Sequence, residues 1–86
     1  EQCRARKVSG DASTSGEPDI DVCYKGRTIK LEVKRPGGAG PTKLQEAVLA
    51  QWREAGAVAT TVRSVDAVRE IIKTLDNGED WTEGGR

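Results

Sequence analysis

Histidine is absent from all 86 residues. That one absence excludes Ser-His-Asp and Cys-His catalysis, histidine-dependent nuclease sites and imidazole metal ligands. Cysteine is scarce: Cys3 and Cys23 stand far apart, with no C-x-x-C spacing. They read as small, buried or partly buried side chains in a reducing compartment. Phe is missing, and two Trp and one Tyr are the whole aromatic content, which leaves no platform for stacking successive bases. No apolar run is long enough to span a bilayer and no signal-peptide pattern is present. The expected setting is therefore the cytoplasm, with no membrane partner. There is also no Met, so either an initiator residue has been removed or Glu1 is not the native start.

What is present fits one small domain over residues 1–86. A chain of this length buries only about 60% of its unfolded surface, so its core is thin and a second copy would help it. Formal net charge is zero, but residues 76–86 hold Asp76, Glu79, Asp80 and Glu83 against Arg86 alone. That acidic tail carries −3 and the preceding body +3. A basic body permits a polyanionic partner. The tail has little to bury except Trp81, which is expected to pack on a partner subunit or fold back across the last helix.

Along the chain, residues 1–9 are read as one or two helical turns, and Gly10–Gly16 as a polar loop. Ile20–Tyr24 and Thr28–Lys34 both alternate apolar with polar, as half-buried strands do. Lys25-Gly26 between them suits a two-residue turn. "RPGGAGP" ends the sheet and a helix follows from Pro41 or Thr42 to Ala55. Its expected apolar stripe is Leu44, Val48, Trp52 and Ala55, and Gly56 is its stop. Ala57–Val62 is rich in β-branched residues and reads as a third strand. Ser64 caps a last helix that buries Val65, Val68, Ile72 and Leu75 and ends at Asn77-Gly78. A helix between the second and third strands implies a crossover and a parallel pair. The expected class is α/β, a small mixed sheet flanked by helices.

The hairpin's register follows from its turn. With Lys25-Gly26 as the loop, opposed positions sum to 51: Tyr24 meets Arg27, Val22 meets Ile29 and Ile20 meets Leu31. Apolar residues face each other, and a one-residue slip would scramble them. On the other face Asp21 meets Lys30, but Asp19 meets Glu32. Two like charges at a narrow, non-hydrogen-bonded pair are destabilising. Lys34, two residues beyond Glu32 on the same face, is one compensation. A divalent cation is another, since Mg²⁺ takes hard oxygen ligands from one or two carboxylates and completes its octahedron with water and phosphate. The plainer alternative is that these charges are the solvated face of an amphipathic hairpin.

Gly16-x-Pro18-Asp19, Glu32-Val33-Lys34, Pro41-x-x-x-Gln45, the Ala55-Gly56 helix end and "SVDAV" occur in this order and spacing. Together they resemble the PD-(D/E)XK nuclease superfamily, and within it the VRR-NUC family, whose small stand-alone members occur in phages and bacteria. The resemblance implies a restriction-endonuclease-like core of αβββαβ type. It implies a Mg²⁺- or Mn²⁺-dependent deoxyribonuclease with no small-molecule cofactor, acting in a bacterial or phage-infected cell. Asp19, Glu32 and the backbone carbonyl of Val33 would hold the metal. Lys34 would orient the attacking water or stabilise transition-state charge, and Gln45 would orient water or a metal-bound group. Arg4, Arg6, Lys7, Arg35 and Lys43 are candidate contacts to DNA phosphate. Small relatives look like homodimers suited to branched DNA such as four-way (Holliday) junctions. The rivals are a catalytically idle nucleic-acid-binding module of the same fold and a flap nuclease or exonuclease. The family's first helix usually carries a further acidic residue, and here Glu1 is the sole candidate.

Overall fold

The structure is a computed structural model that describes residues 3–8 and 16–82. Its elements run β1 (Cys3–Lys7), β2 (Ile20–Tyr24), β3 (Arg27–Val33), α1 (Lys43–Glu54), β4 (Val58–Val62) and α2 (Val65–Asp76). One four-stranded sheet has the order β1-β2-β3-β4. The first two pairings are antiparallel and β3 runs parallel to β4, with α1 as the crossover. This is the expected mixed sheet, with the βββαβ part of the implied core followed by α2.

The hairpin has the expected register: Tyr24 lies opposite Arg27, Val22 opposite Ile29 and Ile20 opposite Leu31. Lys25 and Gly26 both take positive φ, +50° and +82°, as the turn that matches strand twist demands. Beyond the tip, the Tyr24 hydroxyl and Lys25 Nζ donate to Asp76 at 2.6 and 3.0 Å. Those two donors hold the Asp76 carboxyl below its ordinary range.

Residues 3–7 are a strand, not the helical turns expected of residues 1–9. A helix of that length is not stable by itself, whereas β2 offers an open edge whose N–H and C=O groups need partners. The strand pairs Lys7 with Ile20 and Cys3 with Tyr24. It is exposed along its whole length. Cys3 and Cys23 are both exposed and free rather than buried, because Cys3 lies on this edge strand and Cys23 lies opposite Arg4. The polar loop from Gly10 lies outside the described residues except for Gly16.

The two sheet faces carry different layers. Ile29, Leu31, Val58 and Val62 meet Ile71 of α2, with Ile20, Val22, Tyr24, Val68, Ile72 and Leu75 packed around them. Trp81 joins this cluster, so the tail folds back on its own chain, the second of its two expected placements. Ser64 caps α2 by accepting from the Ala67 N–H at 3.2 Å.

On the opposite face α1 lies against β4. Its buried stripe is rotated from the expected one. Leu49 is 1% exposed and Val48 is buried, but Leu44 is 53% exposed. The reason is polar: Gln45 and Arg53 turn inward to bond Glu32 and the Ala59 carbonyl, which brings position 49 under the helix. On α2, Val68, Ile72 and Leu75 pack against the core as expected, with Ile71 added as the buried centre and Val65 left at the exposed end.

Leu44 is not idle, because it lies over Gly16. A Cβ at Gly16 would stand 2.7 Å from Leu44 Cγ, and Gly16 has φ +83°, so only glycine fits where the chain enters the hairpin. The rotation of α1 has a direct consequence for stability. Leu49→Ala should cost about 2–5 kcal/mol, and Leu44→Ala less than about 1 kcal/mol, as read by urea denaturation. Equal losses would place the buried stripe where the apolar spacing alone puts it.

Candidate active site

Three elements and one loop converge at the end of the sheet away from the hairpin tip. Glu32 lies near the end of β3 and Lys34 just beyond it. Asp19 lies at the entry to β2, and Gln45 in the first turn of α1. Their meeting follows from local chemistry. Residue 18 is a proline, fully buried, and the hairpin register sets it opposite Val33 in a pair that would normally exchange two hydrogen bonds. Pro18 has no N–H to give, so no ladder bond from it reaches the Val33 carbonyl. The Val33 N–H is taken instead by Asp19 Oδ2 at 2.9 Å. Proline thus ends the ladder and turns the Asp19 carboxylate in across it.

Glu32 is the centre of the arrangement. It is only 3% exposed, so it is not part of a solvated hairpin face. One oxygen, Oε2, receives Lys34 Nζ at 3.3 Å and Gln45 Nε2 at 3.1 Å. The orientation of the Gln45 amide is set by the helix cap. Its Oε1 accepts from the Thr42 N–H at 2.9 Å while the Gln45 N–H donates to Thr42 Oγ1 at 3.1 Å, a reciprocal capping box. With its oxygen committed to the cap, the amide presents its N–H₂ to Glu32. The other carboxylate oxygen, Glu32 Oε1, is buried without a hydrogen-bond partner.

The oxygen ligands that meet at this point are the Asp19 and Glu32 carboxylates, close enough for the Asp19 charge to act on Glu32. Among the described residues no three Asp, Glu, His or Cys side chains gather as a cluster. Glu1, the candidate for a third carboxylate, lies outside the described residues. Two carboxylates nevertheless suit a hard cation that keeps several waters.

The basic candidates divide. Arg6 and Lys7 line an open groove of about 660 Å³ with Asp19, Ala5, Ile20 and Val33. Arg6 also pairs with Asp21 at 3.2 Å. Arg35 and Lys43 are exposed on the loop and helix start that lead from Lys34 to Gln45. Arg4 is exposed but sits farther along β1, opposite Cys23.

Two supports escaped the sequence reading. Arg63, just past β4, donates to the carbonyls of Arg35, Gly38 and Ala39 at 2.7, 3.2 and 3.3 Å, which ties down the glycine-rich loop between Lys34 and α1. Lys30 Nζ lies 3.8 Å from the centre of a Trp52 ring and 2.7 Å from Asp21 Oδ1, while Trp52 Nε1 donates to Glu17 at 3.4 Å. A residue that holds a loop by its backbone carbonyls leaves no pattern in the sequence.

Burial pushes the Glu32 carboxyl up from its ordinary value of 4.5, and the Asp19 charge adds to this while Lys34 opposes it. The folded protein therefore keeps the Glu32 proton to higher pH than the unfolded chain does. As pH rises from about 4.5 through the raised value, folding must ionise a buried acid and stability falls. With no histidine to titrate in the same window, the effect should be readable in thermal melts in EDTA between pH 4.5 and 8. Glu32→Gln should flatten that slope and melt higher than wild type at pH 7–8. An unchanged slope would assign it to another group.

No protein-family model matches the sequence, and no curated protein matches it. Among solved structures, a chain named "VRR_NUC domain protein" aligns with a TM-score of 0.69 and 16% identity, over 95% of this chain and 75% of its own. At that identity the likeness is one of fold. The mixed sheet and two helices that carry the Asp19–Glu32 cleft therefore have the fold of a VRR_NUC domain protein.

Proposed function

We propose that this chain is a metal-dependent endonuclease that hydrolyses DNA phosphodiester bonds, selective for branched DNA such as four-way junctions, and that it works as a homodimer in the cytoplasm of a bacterial or phage-infected cell. The observation that carries the reading is the Glu32 carboxylate: buried, beside a second carboxylate, with lysine and glutamine on one oxygen and no partner on the other. Such a group is costly to keep as a purely structural element. The likeness of fold to a chain named for a nuclease domain supports the same reading.

The residues fit Mg²⁺ or Mn²⁺, with Asp19, Glu32 and the Val33 carbonyl as oxygen ligands. When bound, such an ion supplies Lewis-acid polarisation of the phosphate and an activated water. Lys34 brings a positive charge to the cleft where negative charge develops on phosphorus oxygens. Gln45, braced by its cap, holds the Glu32 carboxylate and presents an amide to the same space. Arg6 projects to the Glu32 side of the sheet opposite Asp21, Arg35 and Lys43 lie on the stretch between Lys34 and Gln45, and Lys7 lies at the same end on the other face. Such cations suit backbone phosphates, which orient a strand without reading its sequence. Arg4 extends that surface along β1. Among the described residues no strand pairs with the outer edge of β1, which leaves room for a second copy, and two clefts on one assembly suit paired incisions across a junction.

The test is cleavage of labelled duplex, flap, splayed-arm and four-way-junction DNA in Mg²⁺, Mn²⁺ or EDTA. Cutting should require the divalent ion and favour the junction. Asp19→Ala, Glu32→Ala and Lys34→Ala should each lower the rate about 100-fold or more, while DNA binding persists in gel shifts. Metal-independent binding with no cutting of any substrate would favour an idle binding module. Cutting confined to flaps or free ends would replace the junction specificity, and wild-type rates in all three variants would misplace the site.

A further inference from the structure

Beside Glu32 in the sheet lies Thr61 of β4, its partner in the parallel register. Register partners on adjacent strands lie about 4.8 Å apart and project to the same face. Here that is the face under α1, where Gln45 meets Glu32. Glu32 Oε1 and Thr61 Oγ1 are the two buried side-chain atoms, among the described residues, that no hydrogen bond reaches. Thr60, next to Thr61, projects to the opposite face and has bonds of its own.

Two unbonded polar atoms on paired residues are not independent accidents. Leaving a buried polar group unpaired is disfavoured, and each side chain carries what the other lacks: the carboxylate oxygen accepts and the hydroxyl donates. Rotation about one side-chain bond of Thr61 redirects its hydroxyl without moving the strand. Glu32 is also the group whose orientation matters most to the proposed centre. Its Oε2 is already held from two sides by Lys34 and Gln45, so only Oε1 is undirected.

We infer that Thr61 is a positioning residue of the metal centre, whose hydroxyl engages Glu32 Oε1, directly or through one buried water, when the carboxylate carries a divalent cation. This rests on the metal-site reading above. Partners that direct a ligating carboxylate commonly tune metal affinity about 10–100-fold. Thr61 leaves no mark in the sequence, where it is one of several β-branched residues in a strand.

The test is Mn²⁺ binding by calorimetry on the full chain, without DNA, for wild type, Glu32→Ala, Thr61→Val and Thr61→Ser, with metal-free melting temperatures alongside. Val keeps the shape and removes the hydroxyl; Ser keeps the hydroxyl. Wild type should bind and Glu32→Ala should not. Thr61→Val should bind about tenfold more weakly yet melt no lower than wild type without metal, since it deletes a hydroxyl that no protein group bonds. Thr61→Ser should bind within a few-fold of wild type. Wild-type affinity in Thr61→Val overturns the inference and leaves the metal site standing. A Thr61→Val loss that Ser shares, or that a lower metal-free melting temperature accompanies, assigns the effect to packing and overturns it too. Absence of Mn²⁺ binding in wild type overturns both readings.

Discussion

Burial of the Glu32 carboxylate constrains everything around it. A carboxylate that is 3% exposed, next to a second one, has given up water on two counts. The surroundings answer with a lysine two residues along the strand, a glutamine from the next helix and a backbone N–H that holds Asp19 in place. Each answer fixes a larger piece of structure. Gln45 reaches Glu32 because Thr42 caps α1 through the same side chain, so the start of the helix and the centre of the cleft share one set of hydrogen bonds. Asp19 can turn inward because Pro18 interrupts the ladder. The rotation of α1, which buries Leu49 and leaves Leu44 over Gly16, follows from the same demand that Gln45 face the sheet. Local packing here is subordinate to the satisfaction of one buried acid.

That arrangement sits on a lean core. Five buried residues on the α2 side, joined by half-buried neighbours and Trp81, hold the second helix to the sheet. Charged side chains do part of the work that apolar ones do in larger domains. Lys30 lies over Trp52 while pairing with Asp21, its ammonium covering an aromatic face. Arg63 spends its guanidinium on three carbonyls of a loop with little else to hold it. Arginine suits that task because its planar fork presents several donors at once, which a lysine cannot do.

The legible part of this structure was the part governed by pair rules. A two-residue turn fixed the sum of 51, and from it came the apolar pairs, the Asp21–Lys30 ion pair and the adjacency of Asp19 to Glu32. The cap at Ser64 was equally readable, since capping depends on residues a few positions apart, whereas Thr42 was read only as a possible first residue of α1 and proves to be its cap. Helix rotation was not, because an apolar stripe says which residues prefer burial and not which polar side chain a distant carboxylate will claim. Residues 3–7 misled for a similar reason: a short basic segment has no strong preference of its own and takes the structure that an open strand edge offers it. Thr61 and Arg63 act across the sheet or through backbone carbonyls, and neither relation has a period or a spacing.

Charge placement completes the connection between fold and proposed substrate. The chain is neutral overall, yet the fold separates its charges along the strands. Asp76 bonds Tyr24 and Lys25, and Asp80 pairs with Arg27 at 2.9 Å, which gathers tail carboxylates at the hairpin tip. The cleft lies at the other end of β3, about 20 Å away. Near it, Lys7, Arg35 and Lys43 are exposed, and Arg6 is shared with Asp21. At the tip Lys25 and Arg27 offset Asp76 and Asp80, so on the proposed reading it is the cations near the cleft that would draw a polyanion. Within the cleft the sign reverses again at Asp19 and Glu32, so phosphate meets unfavourable charge where the reaction would occur. On the proposed reading a divalent cation resolves that local conflict and makes the cleft productive. On that reading the basic surroundings would supply attraction and the paired carboxylates would oppose close approach until an ion is bound, two effects that reside on different side chains.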